Sequence, residues 1–394
     1  MSTSSEENVA VDAVRQRIRV VGLFPELLGV GGVQEAGRLT ATAISEVVKE
    51  CCCRADFFSL NDSRGSSAFE IAGHQVPISG FHRAKIRFAL AGIKCVRRTI
   101  QETSTIVIAG HPHLAVPAAW MKRISPRLKV IVMTHGIEVW SPLSARRNRA
   151  LLRADLVLAP SRYTAEKLAE VQHVLPERLR VLPWPLNPDF ARFASESAKL
   201  PLPESFPLGR ILLTVGRWSA SEQYKGLDHL IDALARIRDD FLDWRLVAVG
   251  GGDDVPRLAR VAQSLGISDR VHFLPGLTRA QIAACYANAD VFALPSAGEG
   301  FGLVFLEAMA FAKPVLGAAV GGTLDLIQDG VNGILVPPRD PARLATAIAS
   351  LFRDESLRAR MGRAGAEAVR SKYSFAAFKR QLQQILDECA SALS

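Results

Sequence analysis

Residues 296–315 read SAGEGFGLVFLEAMAFAKPV, and this stretch decides the fold. Just before it, ADVFALPS (Ala289–Ser296) is a short apolar run of strand type, ended by a glycine-rich turn at Gly298–Gly302. A helix starts near Leu303. Strand, glycine loop and helix N-terminus in that order form a standard place to hold a phosphate, because the first amides of a helix have no intrahelical partner. The amides of Phe301, Gly302 and Leu303 are placed to point at such an anion, and Gly300 and Gly302 let a ligand approach the backbone. Glu299 precedes the helix and Glu307 lies within it, with seven residues between. Glu307 sits on an otherwise apolar helix, where an unpaired buried carboxylate is costly, so a ligand partner is the better reading. One carboxylate can then reach a sugar hydroxyl and the other a ribose diol, on either side of a diphosphate.

On both sides of this segment, short apolar runs recur along the whole chain. In the second half they are RILLTVG (Arg210–Gly216), WRLVAVGGG (Trp244–Gly252), RVHFLPG (Arg270–Gly276), PVLGAAVGG (Pro314–Gly322) and GILVPP (Gly333–Pro338). In the first half they are IRVVGLF (Ile18–Phe24), TIVIAG (Thr105–Gly110), KVIVMTHG (Lys129–Gly136), ADLVLAPS (Ala154–Ser161) and RVLPW (Arg180–Trp184). Helical patterns separate them, one from about Val33 to Cys51. Strands alternating with helices imply an α/β chain with parallel sheets covered on both faces. The rhythm breaks in the proline-rich stretch Pro185–Pro207, which reads as a linker. The expected organisation is a loose tail over 1–17, a Rossmann-like first domain over 18–190 and a second over 200–372. A helical pattern runs from about Ala364 through Tyr373 and Phe375 to Leu393.

The chain has 394 residues, 48% hydrophobic and 22% charged, which excludes dominant disorder. No apolar run reaches the length of a spanning helix, and the polar start lacks the apolar core of a secretory signal. Six cysteines, three of them consecutive, fit neither a zinc spacing nor a disulfide framework and suggest a cytoplasmic protein with idle thiols. The net charge of +9 lies entirely in residues 1–195, with 26 Lys and Arg against 17 Asp and Glu; residues 196–394 balance at 22 each. A basic first half implies an anionic surface or acceptor.

The E-x7-E segment within EGFGLVFLEAMA resembles the retaining nucleotide-sugar glycosyltransferases of family four (glycosyl transferases group 1). VGRWSASEQYKGLDHLIDAL, THGIE, APSRYTAEKL, GGTLDLIQDGVNGILVPPRD and the GGVQ loop match the same family in the same order, so the resemblance covers nearly the whole chain. It implies a GT-B fold, two Rossmann-like domains facing across a deep cleft, with the C-terminal helix of about 375–394 returning to the first domain. It also implies transfer of a hexose from a UDP or GDP sugar to an acceptor hydroxyl, in glycolipid or polysaccharide biosynthesis. By this resemblance Arg217 and Lys225 bind the donor diphosphate, where two cations stabilise the departing nucleotide. Glu307 holds the ribose. Glu299, with the Gly300, Phe301, Gly302 and Leu303 backbone, holds sugar and phosphate, and His135 lies at the sugar's reacting face. Catalysis then rests on His135, Glu299, Arg217 and Lys225. The chain lacks the D-x-D metal signature of the other large glycosyltransferase fold, so the resemblance implies no metal and no cofactor.

Gly31 and Gly32 do not form G-x-G-x-x-G, and on their own they read as a tight turn; the resemblance gives them a role near donor phosphate or acceptor. His111 and His113 (GHPHLA) follow another strand end and are weaker candidates for the acceptor side. Three departures from the family pattern stand out. Leu324-Asp325 replaces Pro-Glu, Trp184-Pro185 replaces a flexible glycine turn, and the loop at Ser219–Tyr224 is long.

The stretch His82–Arg98 holds Arg83, Lys85, Arg87, Lys94, Arg97 and Arg98 and no acid, with Ile86, Leu90 and Ile93 at helical spacing. A basic amphipathic helix of this kind can lie on an anionic membrane; packing of its apolar side on the core, with the basic side outward, is the other reading. A further arginine cluster, Arg146, Arg147, Arg149 and Arg153, belongs to the same domain. Aromatic residues are scarce at 7%, which disfavours nucleic acid. Competing functions are a nucleotide-sugar epimerase or hydrolase on the same fold, and a silent nucleotide-sugar-binding subunit. The presence of Arg217, Lys225, Glu299 and Glu307 disfavours the latter.

Overall fold

A computed structural model describes residues 18–51, 53–98 and 104–392. The expected tail over 1–17, Cys52 and Leu393 lie outside the described residues. The chain divides into two compact units, Met1–Trp184 with Phe375–Ser394, and Pro185–Ser374.

In the first unit, the described residues form a sheet of order β3-β4-β2-β1-β5-β6-β7-β8. Its strands are β1 (Ile18–Phe24), β2 (Arg54–Ser59), β3 (Gly65–Ile71), β4 (His74–Gly80), β5 (Ser104–Ala109), β6 (Lys129–Met133), β7 (Leu156–Ala159) and β8 (Leu179–Val181). All pairings are parallel except β3 with β4. The central strands β1 and β5 are apolar beyond their first two residues because helices cover both faces; Val20, Val21, Leu23, Ile106, Val107 and Ile108 have no exposed surface. The three strands at one side of the sheet, β2, β4 and the edge strand β3, escape the sequence reading. β3 (GSSAFEI) is polar and largely exposed, so it carries no apolar run to betray it.

The second unit has the order β11-β10-β9-β12-β13-β14, all parallel. Its strands are β9 (Arg210–Val215), β10 (Trp244–Val249), β11 (Val271–Leu274), β12 (Val291–Leu294), β13 (Val315–Ala318) and β14 (Gly333–Val336). Each falls within an apolar run picked out from the sequence.

Two expectations need correction. The stretch Pro185–Pro207 is not all linker. Asn187 caps a helix at Pro188–Ser195, accepting the Asp189 amide at 2.8 Å, and Leu186 and Phe190 are buried. Residues 185–190 therefore belong to the second unit rather than the first. The terminal helical pattern is also two helices, Glu355–Lys372 and Phe375–Ser391, broken at Tyr373-Ser374. The second helix belongs to the first unit, where Lys379 bridges Glu46 and Glu50 at 3.0 and 2.9 Å and Phe378 packs on Trp184.

Candidate active site

In the second unit the loops after β9, β10 and β12 meet at the carboxyl ends of their strands, where parallel sheets open a binding crevice. Gly250 follows β10 with φ +109°, and a Cβ there would lie 1.9 Å from the Gly216 carbonyl, so only glycine allows these loops to touch. Trp218 and Asp254 exchange backbone bonds with this loop, the Trp218 amide to Gly251 and the Asp254 amide to Trp218, each at 2.9 Å. The chain then forms a 3-10 helix, Ala220–Lys225. The segment is kinked at Glu222, which has φ −120°, and the kinked turn sets Glu222 beside Lys225. The Tyr224 carbonyl accepts the Ala297 amide at 2.7 Å, locking this segment to the glycine loop after β12.

Arg217 and Lys225 are thus neighbours, and the carboxylate of Glu222 lies between them. Arg217 donates Nε–H to Glu222 at 3.2 Å and its terminal amino group to the other carboxylate oxygen. Lys225 reaches Glu222 at 3.0 Å. Burial alone would raise the Glu222 carboxyl, but the hydrogen bonds from Arg217 and Lys225 hold it below its ordinary value. The sequence reading names both cations and misses Glu222. Its only sequence signal is an acid three residues before Lys225.

The glycine loop is built as the sequence implies. Gly302, at φ +99°, is the N-cap of the helix Leu303–Ala310. The Gly322 amide donates to the Glu299 carbonyl at 2.6 Å, so the double glycine after β13 buttresses the loop from behind. Glu299 is half-buried, and burial pushes its carboxyl up to about 7; Lys225 opposes the rise, Glu222 adds to it, and the Phe301 amide opposes it by hydrogen bonding. Glu307, half-buried on the helix, accepts the Tyr286 hydroxyl at 2.8 Å. Tyr286 has no exposed surface and is stacked on Phe311. It comes from the helix Arg279–Asn288, and no local sequence feature pairs it with Glu307.

In the first unit, His135 follows β6, and Thr134 anchors the turn by donating both amide and hydroxyl to the Leu158 carbonyl at 2.9 Å. His135 Nε2 lies 2.8 Å from the Gly110 carbonyl. A carbonyl only accepts, so Nε2 carries the proton and Nδ1 is the ring nitrogen left to meet a ligand. The ring is stacked between His111 and Trp184, at centroid distances of 5.7 and 5.5 Å. The His113 ring lies tilted against His111, with centroids 4.3 Å apart. Burial, with the adjoining His135 and His113 rings and Arg147 acting in the same direction, lowers His111 to about 2; burial, with the positive charge of Arg147 and Lys85, lowers His113 to about 4. Both rings are therefore neutral at physiological pH.

Gly31 and Gly32 start the helix Gly32–Glu50 and are exposed, with Gly31 at φ +150°. The preceding loop is fixed from below. Asp62 accepts the Leu27 amide at 2.8 Å and the Ser59 hydroxyl at 2.5 Å, and Arg38 donates to the Leu27 and Gly29 carbonyls at 2.6 and 2.8 Å. These two buried charges also escape the sequence reading.

Two family models match the chain: "Glycosyl transferases group 1" over residues 204–368 and "Glycosyltransferase Family 4" over 44–190. The chain is 35% identical over 277 residues to the GDP-mannose-dependent alpha-(1-6)-phosphatidylinositol monomannoside mannosyltransferase of Mycolicibacterium smegmatis, covering 67% of this chain and 71% of that one. The chain belongs to glycosyltransferase family 4. This glycosyltransferase is also 34% identical over 235 residues to a D-inositol 3-phosphate glycosyltransferase of Xylanimonas cellulosilytica, a match spanning 56% of this chain and about half of the relative, 54%. A sucrose-phosphate synthase from Thermosynechococcus elongatus shares its fold with a TM-score of 0.73 at 21% identity, covering 96% of this chain and 100% of that one. The glycosyltransferase thus has the GT-B fold and uses a nucleotide-sugar donor. Its segments Arg217–Lys225 and Glu299–Glu307 lie inside the first of the two matched regions.

Proposed function

We propose that this glycosyltransferase moves mannose from GDP-mannose to a hydroxyl of an inositol-phosphate-bearing acceptor, with retention of configuration and without a metal. The observation that carries the reading is the pair of cations, Arg217 and Lys225, held beside the glycine loop that starts the helix Leu303–Ala310. The donor diphosphate takes the two cations, with the amides of Phe301, Gly302 and Leu303 adding donors at the helix N-terminus. Charge that develops on the leaving phosphate is stabilised by groups already in place, the task a divalent ion performs elsewhere. Glu307, oriented by Tyr286, holds the ribose diol, and Glu299 takes a sugar hydroxyl. The acceptor oxygen bonds to the anomeric carbon on the face from which the phosphate oxygen departs. The acceptor proton passes to that oxygen, so configuration is kept without a covalent enzyme intermediate.

On the first unit we assign the acceptor side to His111, His113 and His135, with the Gly31-Gly32 turn near phosphate or acceptor. His135 offers Nδ1 to a sugar hydroxyl. The positive charge of Arg147 and Lys85 at His113 suits an acceptor bearing phosphate. The relatives from Mycolicibacterium and Xylanimonas, named for phosphatidylinositol and inositol phosphate acceptors, support that choice.

We also place the enzyme on an anionic membrane face. The helix Lys85–Arg97 packs by Phe88, Gly92 and Cys95, while Ile86 and Leu90, 77% and 57% exposed, stand outward among Lys85, Arg87 and Lys94. That is a basic outer face carrying two apolar side chains, suited to a headgroup region. Among the described residues no helix is long and apolar enough to cross a membrane.

Thermal unfolding with GDP, UDP and ADP, in chelator, tests the donor reading. A ligand at about 100 times its dissociation constant adds roughly 2.7 kcal/mol. GDP should raise the midpoint most, and Arg217→Ala should abolish the shift. A larger shift with UDP, or one that needs a divalent ion, would overturn the base or the metal independence.

A further inference from the structure

Glu222 is not needed to make a phosphate site; it neutralises one. Its carboxylate takes a bidentate pair from Arg217 and a second ion pair from Lys225, and it is the only acid ion-paired to either cation among the described residues. Both oxygens are engaged, and only 14% of the side chain is exposed, while Arg217 remains 66% exposed on its outer side. Two oxygens of one carboxylate therefore occupy donors that a diphosphate would use. The arrangement is local: Glu222 reaches both cations from within the same short 3-10 turn, at a position with φ −120° that departs from helical geometry. A change of side-chain rotamer at Glu222 withdraws the carboxylate while the backbone of the turn, tied to the glycine loop through Tyr224 and Ala297, stays in place.

We infer that Glu222 is an internal counter-anion of the donor site, which holds Arg217 and Lys225 when no nucleotide is bound and is displaced by the diphosphate. The inference rests on the assignment of these two cations to the donor diphosphate. In this role Glu222 keeps the cations from being left unpaired and sets donor affinity by competition. It retakes the cations as the nucleoside diphosphate leaves, which speeds release. It touches neither the sugar nor the acceptor and is a positioning residue.

Titration calorimetry with GDP and with GMP separates the cases, using wild type, Glu222→Gln, Glu222→Ala and Arg217→Ala, with folding checked by circular dichroism. Removal of the competing charge should tighten GDP about tenfold in both Glu222 variants. GMP, which lacks the second phosphate, should change less than twofold. Steady-state turnover should show a lower donor KM and a lower kcat in Glu222→Gln, since product is held longer. GDP affinity that is unchanged or weaker in both Glu222 variants, while Arg217→Ala still weakens it, would overturn the inference alone and make Glu222 a support for Arg217. GDP affinity unchanged in Arg217→Ala would overturn the donor assignment and the inference together.

Discussion

Tyr286 donates its hydroxyl to the Glu307 carboxylate at 2.8 Å from a fully buried ring. The tyrosine has no way to rotate, because Phe190, Phe292 and Phe311 pack around it. It therefore fixes the direction of a carboxylate assigned to the ribose. A hydrogen bond to a charged group is worth about 1.5–3 kcal/mol. Tyr286→Phe keeps the ring and removes the bond. The donor KM should rise about tenfold with kcat changed less than threefold. Steady-state kinetics against donor concentration check this.

Glu299 gives a pH signature. Its folded-state value of about 7 lies above the ordinary 4.5, mainly because burial disfavours the charge. A carboxyl raised in this way contributes full stability below about 4.5 and loses it as pH climbs toward 7. Glu299→Gln carries no such penalty. The variant's stability relative to wild type should therefore improve from pH 4.5 to 7 and level off above, by roughly 1–3 kcal/mol in all. Urea unfolding of both proteins across that range measures it. A difference that does not vary with pH would contradict the raised value.

Gly302→Ala tests the glycine loop. The residue sits at φ +99°, and a Cβ there would come 2.6 Å from the Phe305 ring, which has no exposed surface. Strain of this kind costs about 1–3 kcal/mol. The variant should unfold at lower temperature and lose donor affinity by at least tenfold, while Gly330→Ala, where a Cβ meets nothing, should leave donor affinity unchanged.

Membrane association should depend on both charge and apolar side chains. Ile86→Ser with Leu90→Ser should cut binding to vesicles rich in anionic lipid several-fold, and added salt should weaken the wild type. Co-sedimentation reads both. Wild-type binding equal on neutral and anionic vesicles would contradict the basic-face reading.

The second unit was legible almost strand by strand, because its six strands are buried on both faces and show as apolar runs between glycine turns. The start of the helix at Leu303 was legible for the same reason. What stayed hidden depends on tertiary contact. Glu222 looks like a surface acid until the 3-10 turn sets it over Lys225, and Tyr286 lies 21 residues from Glu307. Trp184-Pro185 read only as the replacement of a flexible glycine turn, and the sequence did not show that Trp184 forms one side of the stack that holds His135. The helix capped by Asn187 was obscured by its own prolines, one of which occupies the first turn, where the missing amide costs nothing.

The most direct test of the central claim is transfer itself. Purified enzyme, with chelator, is given GDP-mannose and a phosphatidylinositol-type acceptor, and the product's anomeric linkage is read by NMR. The expected product is an acceptor-dependent α-mannoside, matching the α configuration of the donor, with turnover reduced at least a hundredfold in the double variant Arg217→Ala, Lys225→Ala. A β-linked product, or turnover that survives loss of both cations, would contradict it.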